Sequence, residues 1–289
     1  MQPIFTMSKL GRHGRFANQL FQYLFLRICA RQRGAAVRTP AWIGQELFAT
    51  GDPPLGDFAA ACAIAEADMA DPDLYLNGVE PLGERVDFCG YFQFHSRHYR
   101  PHRDFIRALY ALQPALREVL DGVVAQLRAT GRPLVAVHLR RGDYGYGHFF
   151  RAPARWYAEW LETAAPQYPG PLVYLCSEAP QLLAPHFPGR QVLHAGLLPQ
   201  LPPSVAFLLD FHVMTQADAL AISNSSFSFM AALLNQRASA FVRPRLDERD
   251  LAAFDPWDAP VLLERALRPG EQAQLDLIDD GAAAAAYAG

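Results

Sequence analysis

From Gly131 onward the chain settles into a rhythm that few folds accommodate, with short apolar runs alternating with helical stretches. Leu134-Val135-Ala136-Val137 reads as a strand buried on both faces, and residues 153–164 as a helix. Residues 172–176 form a second such strand, 179–184 a short helix and 191–194 a third strand. Residues 204–216 are helical, 219–222 a strand, 225–235 a helix, and 240–242 the last strand. Doubly buried strands separated by helices require a parallel, doubly wound α/β sheet. Sheets of that kind gather their ligands at the carboxyl ends of the strands.

The first half is less regular. Residues 4–7 read as a strand leading into the glycine-bearing turn Lys9-Leu10-Gly11-Arg12-His13-Gly14-Arg15. Phe21, Leu24, Phe25 and Ile28 then fall at i, i+3, i+4 and i+7, one face of a helix that Gly34 stops. Residues 40–90, with Pro53-Pro54 and Asp71-Pro72-Asp73, suggest loops and short elements. A helical pattern over 104–130 is interrupted near Pro114 and closed by Gly131, which places the change of domain near residue 130. The alanine-rich tail that ends in Tyr287 is frayed or helical packaging, and no internal repeat is visible.

Composition narrows the function classes. The sequence is 51% hydrophobic and 19% charged, which excludes general disorder. A formal charge of −3 gives no electrostatic case for a nucleic-acid partner, and peripheral membrane contact stays open. No apolar run reaches the roughly 18 residues of a membrane span. The first residues lack the basic and apolar regions of a signal peptide, so a cytoplasmic location is expected. Cys29, Cys62, Cys89 and Cys176 are scattered without metal-ligand spacing, which suits reduced thiols.

Three segments carry chemistry. Val137-His138-Leu139-Arg140-Arg141-Gly142-Asp143-Tyr144 delivers two arginines to a strand end. Alternation puts His138 and Arg140 on one face and turns Arg141 away. An arginine there can fork onto a phosphate and neutralise a departing diphosphate. The plainer reading is a strand-end pair between Arg141 and Asp143. Gly14 to Gln19 puts a glycine turn at a helix start, whose free N–H groups attract anions, with Asn18 and Gln19 in the first turn. Ser223-Asn224-Ser225-Ser226 joins a strand to a helix through small polar residues that can cap the helix or cradle a phosphate. Trp156 and Trp160, at i and i+4, read as core. The His95, His98 and His102 cluster reads as a solvated face, and Asp71-Pro72-Asp73, formally an Asp-x-Asp, lacks a preceding strand.

Together the segments resemble fucosyltransferases that use GDP-fucose, above all glycosyltransferase family 11, the α-1,2-fucosyltransferases. Asn18-Gln19-Leu20-Phe21-Gln22-Tyr23 matches the first family signature, and His138 to Tyr144 the second, His-x-Arg-Arg-Gly-Asp-Tyr. The third is matched by Asp210-Phe211-His212-Val213-Met214-Thr215 followed by residues 224–229. Gly90-Tyr91-Phe92-Gln93 also resembles a family segment, so the likeness spans residues 4–243. Ala17, Phe229-Met230 and Ala231 depart from the pattern. The turn Gly14-Arg15-Phe16-Ala17-Asn18-Gln19 is similar to that of protein O-fucosyltransferases.

The resemblance implies a GT-B-like fold, two Rossmann-type domains facing across a cleft. Residues 1–130 would carry the Asn18 loop on the acceptor side, 131–270 the GDP-sugar site, and 271–289 a tail. It implies inverting, metal-independent transfer of L-fucose from GDP-β-L-fucose to an oligosaccharide acceptor, at O2 of galactose, with no cofactor. Arg140 would bind the β-phosphate, His138 would assist at the nucleotide, and Asn18 and Gln19 would reach diphosphate or fucose. Asn224, Ser225 and Ser226 would hold phosphate or ribose, and Glu178 ribose or guanine. Asp143 and His148 are the candidate bases. Transfer to a protein acceptor, another GDP-sugar donor, and a relative that binds nucleotide or glycan without turnover remain as alternatives.

Overall fold

The computed structural model describes residues 2–164, 166–198 and 201–286, with side chains through residue 279; Tyr287 lies outside them. The chain divides into two compact units. One comprises residues 1–117 with a returning segment, Trp257–Val261, and the other residues 118–256 and 262–289.

The N-terminal unit is built on a four-stranded parallel sheet. Its strands are β1 (Ile4–Thr6), β2 (Ala36–Arg38), β3 (Cys62–Ala65) and β4 (Arg85–Cys89), in the order β2-β1-β4-β3. β1 thus has the strand that follows it on one side and β4 on the other, and the carboxyl ends of β1 and β4 lie next to each other. Helix α1 (Phe16–Arg33) carries the expected stripe, and Phe21, Leu24, Phe25 and Ile28 are all fully buried. Each such side chain contributes about 1.5–3 kcal/mol on leaving water. Gly34 ends the helix in the left-handed conformation, φ 60°, where its N–H meets the carbonyls of Ala30 and Arg31. Short helices α2 (Gly44–Leu47), α3 (Pro72–Leu76) and α4 (Arg103–Leu109) complete the unit. The returning segment is pinned by Ser96, whose backbone N–H donates to the carbonyl of Ala259 at 2.9 Å.

Helix α5 (Pro114–Arg128) starts in the first unit and belongs to the second from residue 118 onward. The cause is its anchorage. His212 and Asp121 meet at 2.8 Å, and the Arg128 guanidinium holds Asp218 at 3.2 Å.

The C-terminal unit has a six-stranded sheet. It contains β5 (Leu134–His138), β6 (Leu172–Cys176), β7 (Gln191–Leu193), β8 (Ala219–Ala221), β9 (Ala240–Arg245) and β10 (Asp250–Ala253). The order β7-β6-β5-β8-β9-β10 is the third-second-first-fourth-fifth-sixth arrangement of dinucleotide-binding sheets. All pairings are parallel except β9 with β10. Helices α6 (Ala154–Ala164), α7 (Pro180–Leu183), α8 (Phe207–Gln216), α9 (Ser226–Leu234) and α10 (Glu271–Ala286) surround it. The alternation predicted from sequence is therefore present. The expected last strand is not last: β9 runs on to Arg245, and β10 returns against it. β10 is an edge strand that buries only Leu251, so it leaves almost no apolar signal. Trp156 is buried and Trp160 packs against the same core, as their spacing predicts.

Candidate active site

In the C-terminal sheet the strand order reverses between β5 and β8, the point at which sheets of this kind bind ligands beyond the carboxyl ends of their strands. The two strand ends are tied there by a hydrogen bond of 2.8 Å between His138 Nδ1 and Ser223 Oγ. His138 is 4% exposed. Burial, reinforced by the neighbouring charges of Arg140 and Arg141, lowers its pKa to about 3, so the ring is neutral at physiological pH.

One residue beyond Leu139 the chain leaves the sheet. Leu139 N–H still donates to the carbonyl of Cys176 at 3.0 Å, and Ser177 Oγ donates to the carbonyl of Leu139 at 2.7 Å. Arg140 then points outward, with its side chain 21% exposed, and pairs with Asp143 at 2.6 Å and with Glu178. The guanidinium also lies 5.5 Å from the centre of the Tyr144 ring. Glu178 grips the other side of the corner, its Oε2 accepting the Arg141 N–H at 3.0 Å. Arg141 turns inward and meets Asp279 of α10 at 3.3 Å and the carbonyl of Ala152 at 3.0 Å. The two arginines therefore take different partners, and the expected pairing of Arg141 with Asp143 is corrected. Asp143 belongs to Arg140, and Arg141 takes a partner from α10. A glycine at 142 suits the turn, where φ is +49°.

The strand-to-helix junction after β8 is equally ordered. Ser225 is the N-cap of α9, its Oγ accepting the N–H of Phe227 at 3.3 Å. Ser226 follows as the first helical residue, half-buried. Asn224 is fully buried. Its Nδ2 donates to the carbonyls of His148 (2.7 Å) and Leu263 (3.2 Å), and its Oδ1 accepts from Arg243 (3.1 Å) and the Leu263 N–H (2.8 Å). That set fills both ends of its amide, so Asn224 braces the junction and is not placed to hold phosphate or ribose. Tyr144 donates to the carbonyl of Asn224 at 3.1 Å, bringing the arginine loop onto the same junction. Glu178, expected at ribose or guanine, is engaged with Arg140 and the Arg141 backbone. The His148 ring lies tilted against Phe149, with centres 4.1 Å apart.

Arg243 was not anticipated. It is 2% exposed in β9, and its guanidinium lies between the rings of Phe229 and Phe254, 5.5 and 5.3 Å from their centres. Burial lowers its pKa to about 10, with Arg245 adding to the effect. The signal available in sequence was an arginine directly after the apolar run 240–242.

The remaining predicted residues, Asn18 and Gln19, lie in the first turns of α1 in the N-terminal unit. Asn18 Oδ1 accepts from Gln93 Nε2 at 2.7 Å, and Gln19 Nε2 donates to the Gly14 carbonyl at 3.1 Å. The same unit joins two motifs that the sequence left separate. His98 and Asp73 are hydrogen-bonded at 2.8 Å, and with Asp71 their ligand atoms lie within 4.8 Å of one another. Asp71 also caps α3, accepting from the Asp73 N–H at 2.9 Å. Among the described residues no helix is long and apolar enough to cross a membrane.

No protein-family model matches the sequence, and none of the curated proteins does. Solved structures do. Fucosyltransferase NodZ from Bradyrhizobium is 14% identical, with 88% of this chain matching 99% of that one at a TM-score of 0.56. POFUT1 in complex with GDP is 14% identical over 83% of this chain and 98% of that chain, TM-score 0.51. Arabidopsis thaliana FUT1 in complex with GDP is 10% identical over 89% and 74%, TM-score 0.52. The chain has the GT-B-like α/β fold of these structures.

Proposed function

We propose that the protein is a glycosyltransferase that moves L-fucose from GDP-β-L-fucose to a sugar hydroxyl with inversion, at O2 of a galactose. The observation that carries this reading is the assembly at the switch point of the C-terminal sheet. There a partly exposed arginine, bracketed by two carboxylates, stands beside a neutral buried histidine and the N-terminus of α9. An arginine so held is preorganised for the β-phosphate, and its charge strengthens the departure of GDP without reorganisation. Ser225 and Ser226, at the N-terminus of α9, supply further donors for phosphate. His138 acts as a neutral hydrogen-bonding group and not as an acid, because protonating it inside the sheet is too costly. Glu178 positions Arg140. Solved structures of the same fold include NodZ soaked with GDP-fucose and POFUT1 with GDP, which supports a GDP-sugar donor.

Asp143 and His148 are the side chains proposed to receive the acceptor's proton, assistance typically worth roughly 10²–10⁴-fold in rate. Asp143→Asn and His148→Asn separate them, since only the base's loss removes the acidic limb of the rate profile. The test of the whole reading is an acceptor array with GDP-fucose, the product linkage being read by NMR. Transfer to lactose-type glycans at galactose O2 supports it. Transfer only to folded peptide domains would make the protein a protein O-fucosyltransferase. GDP binding with no transfer to any acceptor would make it a non-catalytic relative.

A further inference from the structure

The N-terminal sheet has its own pair of adjacent strand ends, and the loops that follow them bring aromatic rings together. After β1 the chain passes through His13 and Gly14 into α1, and after β4 it passes through Gly90, Tyr91, Phe92 and Gln93. The two loops meet. The rings of His13 and Tyr91 lie 4.2 Å apart at 39°, and Gln93 Nε2 donates to Asn18 Oδ1 at 2.7 Å. Gly14, at φ +83°, allows that approach, because a Cβ there would lie 2.9 Å from Tyr91 Cε1 and 2.6 Å from Asn18 Nδ2.

The presentation of Tyr91 is built into the backbone. Phe92 holds a left-handed φ of 54°, a conformation costly for a bulky residue. It is held there because its ring is fully buried and stacked on Phe25 at 4.1 Å, while Tyr99 donates to its carbonyl at 2.5 Å. Glu66 fixes the preceding residue, its Oε2 accepting the Tyr91 N–H at 2.6 Å. The result is an aromatic ring 39% exposed in solvent on a rigid, strained corner. Beside it Gln19 is 8% exposed. One end of its amide donates to the Gly14 carbonyl, and the other, Oε1, finds no partner among the described residues. His13 Nδ1 is likewise a buried nitrogen without one. A buried orphan of this kind costs about 1–3 kcal/mol unless something hydrogen-bonds to it.

We infer that this corner is a carbohydrate subsite in which Tyr91 stacks on the apolar face of a pyranose and the Gln19 and His13 side chains take its hydroxyls. A flat ring edged by amides and an imidazole suits a neutral sugar, and the Glu66 carboxylate at the Tyr91 N–H disfavours a phosphate. Galactose fits better than glucose, because its axial O4 leaves the C3, C4 and C5 hydrogens together on one face. The inference deepens the transferase reading by naming the residue that selects the acceptor, and it rests on that reading for this role; sugar binding itself is measured without donor.

Saturation-transfer NMR of the full chain with lactose and with cellobiose, no nucleotide being present, is the test. Transfer is expected from lactose, strongest at the C3, C4 and C5 protons of galactose, and much weaker from cellobiose. Tyr91→Ala should raise the lactose Kd by roughly tenfold or more, with Tyr91→Phe within about threefold of wild type. Absence of transfer from lactose, equal transfer from cellobiose, or an unchanged Kd in Tyr91→Ala would overturn the inference. Should Tyr91→Ala fail to fold, as melting would show, the proton pattern in the wild type and the Tyr91→Phe affinity still decide. Calorimetry with GDP-fucose reads the other site separately. Lactose binding without nucleotide binding would sink the transferase reading and leave the subsite standing.

Discussion

Arg141 and Asp279, 138 residues apart in sequence, meet at 3.3 Å with side chains only 16% and 17% exposed. The neighbouring Arg140 is partly exposed and pairs with two carboxylates. Two adjacent arginines therefore serve different purposes, and substitution should separate them. Arg140→Lys keeps the charge but loses the fork, and kcat/KM should fall by roughly 10²-fold with melting nearly unchanged. Arg141→Lys should lower the melting temperature while leaving turnover within roughly tenfold. Steady-state kinetics and melting curves check both. A dead Arg141→Lys beside a normal Arg140→Lys would remove Arg140 from the mechanism.

Glu178 accepts the Arg141 N–H and pairs with the Arg140 guanidinium, so it acts through Arg140. Glu178→Gln keeps an acceptor for the N–H but removes the charge that orients the arginine. We expect kcat to fall by about tenfold and KM for the acceptor to stay put, since the effect lies on leaving-group stabilisation. A selective rise in acceptor KM would contradict this.

His138 gives stability a pH dependence of known sign. Its folded pKa of about 3 lies below the usual 6.5. In acid the unfolded chain takes up a proton that the folded chain refuses. Its contribution is therefore complete above about pH 6.5 and is lost as the pH falls towards about 3. In urea unfolding, the gap between wild type and His138→Gln should narrow as the pH drops through that window.

Asp210 has the opposite sign. Burial raises its carboxyl to about 7, although the hydrogen bond from Tyr174, 2.9 Å, opposes the shift. A raised folded pKa means stability present below the usual 3.8 and lost as the pH rises through about 7. Asp210→Asn cannot ionise, so its stability relative to wild type should improve steadily from about pH 4 to about pH 8. A flat difference across that range would show the group to be less buried than described.

EDTA should leave transfer intact, because Arg140 and the N-terminus of α9 meet the diphosphate charge in the proposed mechanism. Loss of activity restored by Mg²⁺ or Mn²⁺ would direct attention to Asp71, Asp73 and His98, whose ligand atoms already lie together.

What could be read from the sequence was local. Strand and helix alternation from Leu134 to Asn235 is carried by residues a few positions apart. That Arg140 and Arg141 take different partners matches the expectation from strand alternation, although β5 ends at His138 and both arginines lie in the loop beyond it. Partners were not legible. Asp143, three residues from Arg140, was assigned to the wrong arginine because sequence distance does not record which face a turn presents. Asp279 could not be found from Arg141 at all. Asn224 looked like a ligand residue because Asn at a helix start favours capping and binding alike. Only its four hydrogen bonds, two of them to Leu263, show that it is a brace. β10 was invisible because a strand burying one leucine has no period.

Asp279 does more than hold Arg141, for its oxygens also accept the N–H groups of Ala154 and Arg155 at 2.9 and 3.1 Å, the first turn of α6. Synthesis thus exposes Arg141 well before the residue that locks it. A nascent chain that has made all of β5 to β9 still lacks the carboxylate that joins the arginine loop to α6. A chain cut between β10 and α10 would keep every strand of the sheet and the Glu178 contact, yet lose the carboxylate that ties the arginine corner to α6.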